Sequence, residues 1–236
     1  MVGQGWVRLA EVTGVILAGG RSQRMGTDKA LLPVDGELLV ERAARALAPF
    51  AHRLLVLDRP GEGPLRAGQV LPHWVRVYDR FPGTGPLGGL ITALAAAPTP
   101  WVALAACDMP HLSPAYYEAL VAQLRPGCQV LVPRWAEGAE PLAGAYHREA
   151  LPVLLDALER GERKLVRAVE PLVACPVEPG WLEPHQPHRL FANVNRPEEY
   201  QTLTGVSLRA GAVTQGGDED EQAVDPGPPR GERRGA

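Results

Sequence analysis

Cysteine is scarce in this 236-residue chain: Cys107, Cys128 and Cys175 stand far apart, with no CxxC pair and no Cys/His cluster at metal-ligand spacing. That excludes a disulfide-dense secreted scaffold and a zinc module, and the expectation is reduced thiols in a cytoplasmic protein. Excess charge is equally scarce. The formal net charge is −3, and the segment from Gln215 to Ala236 accounts for it, with six acids against three arginines. A body this close to neutral does not hold nucleic acid by bulk positive charge, so an anion site must be local. The opening residues, MVGQGWVRLAEV, lack the long apolar run of a signal peptide. Charged residues are missing from Pro86 to Cys107, a stretch long enough to cross a bilayer. Pro98 and Pro100 interrupt it, so a helix followed by a buried strand is expected there, with no membrane association. The histidines at 52, 73, 111, 147, 185 and 188 show no HExxH or other ligand spacing, and no Ser-His-Asp arrangement can be argued. Neither a Walker GxxxxGK[ST] loop nor a GxGxxG fingerprint occurs.

What is present is apolar material in short runs. With 45% apolar residues the chain can bury a full core. Strand-length runs lie at Thr13–Ala18, Arg53–Asp58, Trp74–Tyr78, Trp101–Cys107 and Gln129–Pro133. Helix-like segments fall between and after them, at Leu38–Leu47, Leu87–Ala97, Ser113–Leu124 and Glu149–Glu159; Ser113 is the expected N-cap, with Pro114 in the first helical position. A last helix is expected from Pro197, with Glu198 and Glu199 in its first turn. This alternation predicts an α/β fold with a mostly parallel central sheet, whose ligands gather at the carboxyl ends of the strands. Residues 1–210 read as a single domain, expected to be monomeric. The acidic, Pro/Gly-rich tail at 211–236 has too few large apolar residues to offset its ordering entropy, and disorder is expected there.

Four stretches could carry chemistry. "LAGGRSQRMGTDKALL", Leu17 to Leu32, follows the first strand. Gly19 and Gly20 would let backbone N–H groups turn toward an anion, and Arg21, Arg24 and Lys29 bring charge. A glycine hairpin with solvated charges is the plainer alternative. "ALAACDMPHL" sets Asp108 at the end of an apolar strand, where a carboxylate suits Mg²⁺ opposite a triphosphate, or serves as a turn residue. "VYDRFPGTGPLGGL" ends a strand at Asp79 and follows it with glycines that permit close approach of a ligand, or form a flexible connector. In "FANVNRPEEY", Asn193 and Asn195 would face one way on an extended chain, unless Asn195 simply caps the next helix.

Together these stretches resemble the molybdenum cofactor guanylyltransferase family over roughly Thr13 to Leu203. The long first stretch is similar to that family's LAGGxSxRMGxDK signature; "DMP", "GPLGGL", "GERK" at Gly161–Lys164 and "NVNRPEE" occur in the expected positions. The resemblance implies a three-layer Rossmann-like nucleotidyltransferase fold and transfer of GMP from GTP to molybdopterin, with release of pyrophosphate. It further implies Leu17, Ala18, Gly19 and Gly20 at the nucleotide, Lys29 at the triphosphate, Asp79 at the nucleotide and Asp108 on Mg²⁺. Arg24, Lys29 and Asp108 would be the catalytic set, with Asn193 and Asn195 on the pterin side. Transient contact with molybdenum-insertion proteins and molybdoenzymes would follow from the product. One departure stands out: where the family can have an asparagine after the second strand, this chain has Leu57 and Asp58, so Asp58 is the candidate contact there.

Related cytidylyltransferases tend toward LAAG where Leu17-Ala18-Gly19-Gly20 stands, which favours GTP over CTP. A nucleotidyltransferase for sugar or polyol phosphates is a further alternative. A non-catalytic carrier would need neither Lys29 nor Asp108.

Overall fold

The apolar runs pair edge to edge because each is too short and too apolar to stand in water alone. The computed structural model describes residues 6–18, 29–58, 60, 65, 68–194 and 197–204. In chain order its elements are β1 (Val12–Leu17), β2 (Pro33–Val34), β3 (Glu37–Leu38), α1 (Leu39–Ala46), β4 (His52–Leu57), β5 (Val75–Tyr78), α2 (Pro86–Ala96), β6 (Trp101–Ala106), α3 (Pro114–Ala122), β7 (Val130–Leu131), β8 (Arg134–Trp135), β9 (Gly138–Ala139), β10 (Ala145–His147), α4 (Leu151–Glu159), α5 (Leu165–Ala168), α6 (Pro187–Leu190) and α7 (Pro197–Thr204). The main sheet has the order β5-β4-β1-β6-β10-β7. Strands β5, β4, β1 and β6 run parallel, with Gly14 opposite both Arg53 and Ala103. Strand β10 runs antiparallel to both β6 and β7.

Both faces of this sheet are covered at its centre, and the central strands are accordingly mostly apolar. Val12, Ile16, Leu55, Ala103 and Ala105 face one core with α1 and α3; Val15, Leu54, Val56, Val102 and Leu104 face the other with α2 and α4. Each Leu, Ile or Val so buried contributes about 1.5–3 kcal/mol. The three-layer expectation is met. Ser113 caps α3 through the Tyr116 N–H, as its position in the sequence suggested. Two tyrosines in the first core find acceptors for their hydroxyls: Tyr116 donates to the Ala143 carbonyl at 2.5 Å and Tyr117 to that of Leu104 at 2.6 Å. Those bonds offset the cost of enclosing a phenol in a dry core.

The stretch Pro86 to Cys107 divides into α2 and β6, and no helix among the described residues is long and apolar enough to cross a membrane. A feature passed over in the sequence is the β2–β3 hairpin. Asp35 and Gly36 both take positive φ, +50° and +78°, as a two-residue Asp-Gly hairpin turn requires. The expectation of three reduced thiols is corrected. Cys128 and Cys175 form a disulfide, while Cys107 is not in one and is buried. The backbone brings the two cysteines together, because residues 173–175 lie alongside β7: Gln129 N–H donates to the Val173 carbonyl and Cys175 N–H to that of Val130.

At the centre of the sheet, Gly14 leaves room for the Phe50 ring. A Cβ at that position would meet Phe50 Cδ2 at 2.9 Å and Leu47 Cβ at 3.1 Å. Gly14→Ala is therefore expected to destabilise the fold by about 1–3 kcal/mol through overpacking, read as a lowered denaturation midpoint in urea.

Candidate active site

Strand β1 has β4 on one side and β6 on the other, so the chain order reverses there. In a parallel sheet the loops leaving the carboxyl ends of two such strands diverge and open a crevice. Ala18 closes β1 at that crevice, and Asp108 follows β6 across it. Of the signature stretch, Gly19, Gly20, Arg21 and Arg24 lie outside the described residues, as do Asn195 and the tail from 205.

Leu17 and Ala18, expected at the nucleotide, close the end of β1. The Leu17 side chain rests on α2, where a Cβ on Gly89 would meet it at 3.2 Å, and Ala18 packs on the opposite core. Ala18 N–H donates to the Val56 carbonyl. Their side chains thus complete the two cores at the end of β1.

Lys29 opens a short 3-10 turn whose next residue, Ala30, is buried. This anchor brings the Lys29 Nζ to 3.0 Å from Asp108 Oδ2, an ion pair largely withdrawn from solvent. The other oxygen, Oδ1, is buried with no hydrogen-bond partner among the described residues. An orphaned carboxylate oxygen carries a large desolvation cost, and a cation binding there removes it. No group of three or more His, Cys, Asp or Glu residues suited to hold a metal occurs among the described residues. A single carboxylate nonetheless fits Mg²⁺, which commonly takes one or two protein carboxylates and completes its shell with water and substrate phosphate. The donor set therefore suits magnesium.

Asp79 ties the loop before α2 to the middle of that helix. Its Oδ1 accepts from Phe81 N–H at 2.9 Å and from the Thr92 hydroxyl at 3.0 Å, while the Thr92 oxygen accepts from Arg80 N–H. Gly85, at φ +70°, then admits the chain to the helix, and the Arg163 carbonyl of the "GERK" segment lies against it. The fold thus joins two of the motifs that stand far apart in sequence. Asp58 follows β4 at the same sheet edge.

Asn193 reaches the crevice on a segment pinned at both ends. On one side Phe191 is the anchor, packing on Trp135 and Tyr116 at centroid distances of 4.7 and 5.6 Å. On the other side Val194 enters a small core with Leu32, Val34, Leu39 and Tyr200, and its N–H donates to the Asp108 carbonyl at 2.8 Å. Tyr200 in turn donates its hydroxyl to the Pro33 carbonyl. One small apolar cluster therefore ties the chain after Lys29 to the chain around Asn193, on either side of Asp108.

Glu140 was missed in the sequence. Its carboxylate accepts from Leu142 N–H at 3.1 Å. Burial is the largest influence on it and raises its pKa above the ordinary 4.5; the bond from Leu142 N–H opposes that rise, and the negative charge of Asp108 adds to it. The available signal was an acid directly before Pro141 and an apolar run, a pattern that caps a turn but does not reveal a neighbour far along the chain.

The family model of the MobA-like NTP transferase domain matches residues 14–173. The chain is 38% identical over 197 residues to the probable molybdenum cofactor guanylyltransferase of Deinococcus radiodurans, covering 82% of this chain and 94% of that one. It is 38% identical over 199 residues to the protein of the same description from Opitutus terrae, covering 80% and 92%. The crystal structure of molybdopterin-guanine dinucleotide biosynthesis protein A from Archaeoglobus fulgidus has a TM-score of 0.66 at 24% identity, over 82% of this chain and 97% of that chain, a likeness of fold.

The raised pKa of Glu140 has a consequence for stability. The folded state holds this proton more tightly than the unfolded state, so the contribution is fully present below pH 4.5 and is lost, leaving a penalty, as pH rises through the folded pKa. Glu140→Gln removes that dependence. Its melting temperature relative to the parent is expected to increase between pH 4 and pH 7, followed by circular dichroism.

Proposed function

The chain belongs to the MobA-like NTP transferase family, and from that premise we infer that its reaction is the transfer of GMP from GTP to molybdopterin. The enzyme is a nucleotidyltransferase. In the transfer, an oxygen of the terminal phosphate of molybdopterin forms a bond to the α-phosphorus of GTP. The bond from that phosphorus to the bridging oxygen breaks, and pyrophosphate leaves with the electron pair. Such a reaction needs positioning and charge neutralisation more than a side-chain nucleophile.

The single observation that carries the assignment of roles is the Lys29–Asp108 pair at the crevice, with Asp108 Oδ1 buried and unpartnered among the described residues. Lys29 is a compact point charge for the triphosphate, and Arg24 is proposed to join it. Asp108 would hold Mg²⁺, which when bound supplies charge neutralisation for the departing pyrophosphate. Leu17, Ala18, Gly19 and Gly20 are proposed to border the nucleotide by backbone, with Asp58 and Asp79 on its far side. Asn193 and Asn195 are proposed for the pterin. GTP as donor argues for a cytoplasmic reaction, and a cofactor as product argues for transient contact with molybdenum-insertion proteins and molybdoenzymes.

Two experiments test this reading. Lys29→Ala and Asp108→Ala are each expected to lower the rate of GMP transfer by about 10²- to 10³-fold, the usual loss for a deleted electrostatic stabiliser, with unchanged circular dichroism. Near-normal turnover in both would remove the proposed roles. Pyrophosphate release with molybdopterin present is expected from GTP and not from CTP; the reverse would make the chain a cytidylyltransferase, and GTP binding without release would revive a carrier.

A further inference from the structure

Thr92 stands in the middle of α2, fully buried, between the apolar residues Leu90, Ile91, Ala93 and Leu94. A hydroxyl enclosed there needs a partner. Threonine inside a helix commonly turns its hydroxyl back to the carbonyl four residues earlier, a bond that stays within the helix. Thr92 instead reaches out of the helix: its hydroxyl donates to Asp79 Oδ1 at 3.0 Å, and its oxygen accepts from Arg80 N–H at 3.0 Å. The loop between β5 and α2 has other fastenings. Asp79 N–H extends the β4–β5 pairing to the Leu57 carbonyl at 2.7 Å, the Thr84 hydroxyl donates to the Phe81 carbonyl at 2.6 Å, and a Cβ on Gly88 of α2 would meet that same carbonyl at 2.8 Å. What Thr92 adds is a second donor on one oxygen of Asp79, beside Phe81 N–H at 2.9 Å. Two donors from different elements fix the plane of the carboxylate, where a single one leaves it free to turn. The other oxygen, Oδ2, takes no hydrogen bond among the described residues.

We propose that Thr92 is a positioning residue for the nucleotide side of the reaction, holding Asp79 Oδ1 so that Oδ2 accepts from a hydroxyl or N–H of the nucleoside. The proposal rests on the reading of Asp79 as a nucleotide contact, and it assigns Thr92 no contact with substrate. A carboxylate only accepts, and a nucleoside offers donors in its ribose hydroxyls and base N–H groups. An acceptor fixed before the ligand arrives spares the ordering that a turning one undergoes on binding, so the effect falls on the affinity for GTP.

The test measures kcat and the separate KM values for GTP and molybdopterin on the full chain. Thr92→Val has nearly the shape of threonine without its hydroxyl; it is expected to raise the KM for GTP about five- to tenfold, leaving kcat and the KM for molybdopterin unchanged. Thr92→Ser keeps the hydroxyl and is expected to stay within about threefold of the parent. Asp79→Asn retains one oxygen for Phe81 and Thr92 but sets an NH₂ in place of Oδ2, and is expected to raise the KM for GTP at least as much as Thr92→Val. The double variant Thr92→Val with Asp79→Asn is expected to be no worse than Asp79→Asn alone. Losses that multiply in the double variant overturn the proposal. A Thr92→Ser variant as impaired as Thr92→Val also overturns it, by making packing the cause, as does a Thr92→Val variant that lowers kcat and raises both KM values alike. If Asp79→Asn raises the KM for GTP while Thr92→Val does nothing, the nucleotide reading of Asp79 stands and the role of Thr92 falls. If both raise the KM for molybdopterin instead and fail to multiply, Thr92 positions Asp79 and the nucleotide reading falls.

Discussion

Strand β1 is covered on both faces and paired on both edges, and the placement of everything chemical depends on that confinement. A strand with no free surface cannot bend away, so the residue after Leu17 must leave at one point and in one direction. The parallel pairing of β4 and β6 with β1 sends their exits to the same sheet edge. Asp58, Asp79 and Asp108 therefore share an edge although they stand far apart in the chain. The antiparallel β10 enters from the opposite direction and leaves the other end of the sheet to structural turns.

Around this frame the molecule uses small clusters to set small distances. The core of Leu32, Val34, Leu39, Val194 and Tyr200 is minor beside the two large ones, but it joins the chain after Lys29 to the chain after Asn193. Loss of contact there would leave the sheet intact and separate the walls of the crevice. The same economy holds for Asp79, whose carboxylate fastens the loop at Phe81 to Thr92 of α2. A carboxylate spent on a turn positions a site without touching a ligand through that oxygen.

Much of this was legible in the sequence, and the rest was hidden for definable reasons. The strands at Thr13 and Trp101 announced themselves because parallel, doubly covered strands are largely apolar, while β5 at the sheet edge showed only as a short alternating run. The apolar run Pro141–Tyr146, which leads into β10, carries no hint of direction, since an apolar run reads alike in a parallel and an antiparallel strand. The hairpin at Asp35-Gly36 was available in the letters and was overlooked between stronger signals. Cys128 and Cys175, read as separate thiols, meet because residues 173–175 run beside β7, and spacing alone cannot reveal such an approach. Lys29 and Asp108 were both singled out, but only the fold shows that one carboxylate oxygen faces the lysine and the other faces no partner among the described residues. Glu140 was invisible because its significance lies in its neighbours rather than in its own surroundings along the chain.

A nearly neutral body has to make its anion site from a few groups, and that constrains how they are arranged. Lys29 on Asp108 keeps the local charge balanced while the crevice is partly dry, since an unpaired lysine or aspartate there would bear the full cost of desolvation. Glu140 adds a second negative charge close enough to Asp108 to be felt, which by itself opposes the binding of an anionic substrate. The bond from Leu142 N–H holds that charge against the turn at Pro141–Ala143. If Asp108 takes the proposed cation, the substrate would arrive with its own divalent ion, because triphosphate and metal together bring charges that the Lys29–Asp108 pair can exchange for its own.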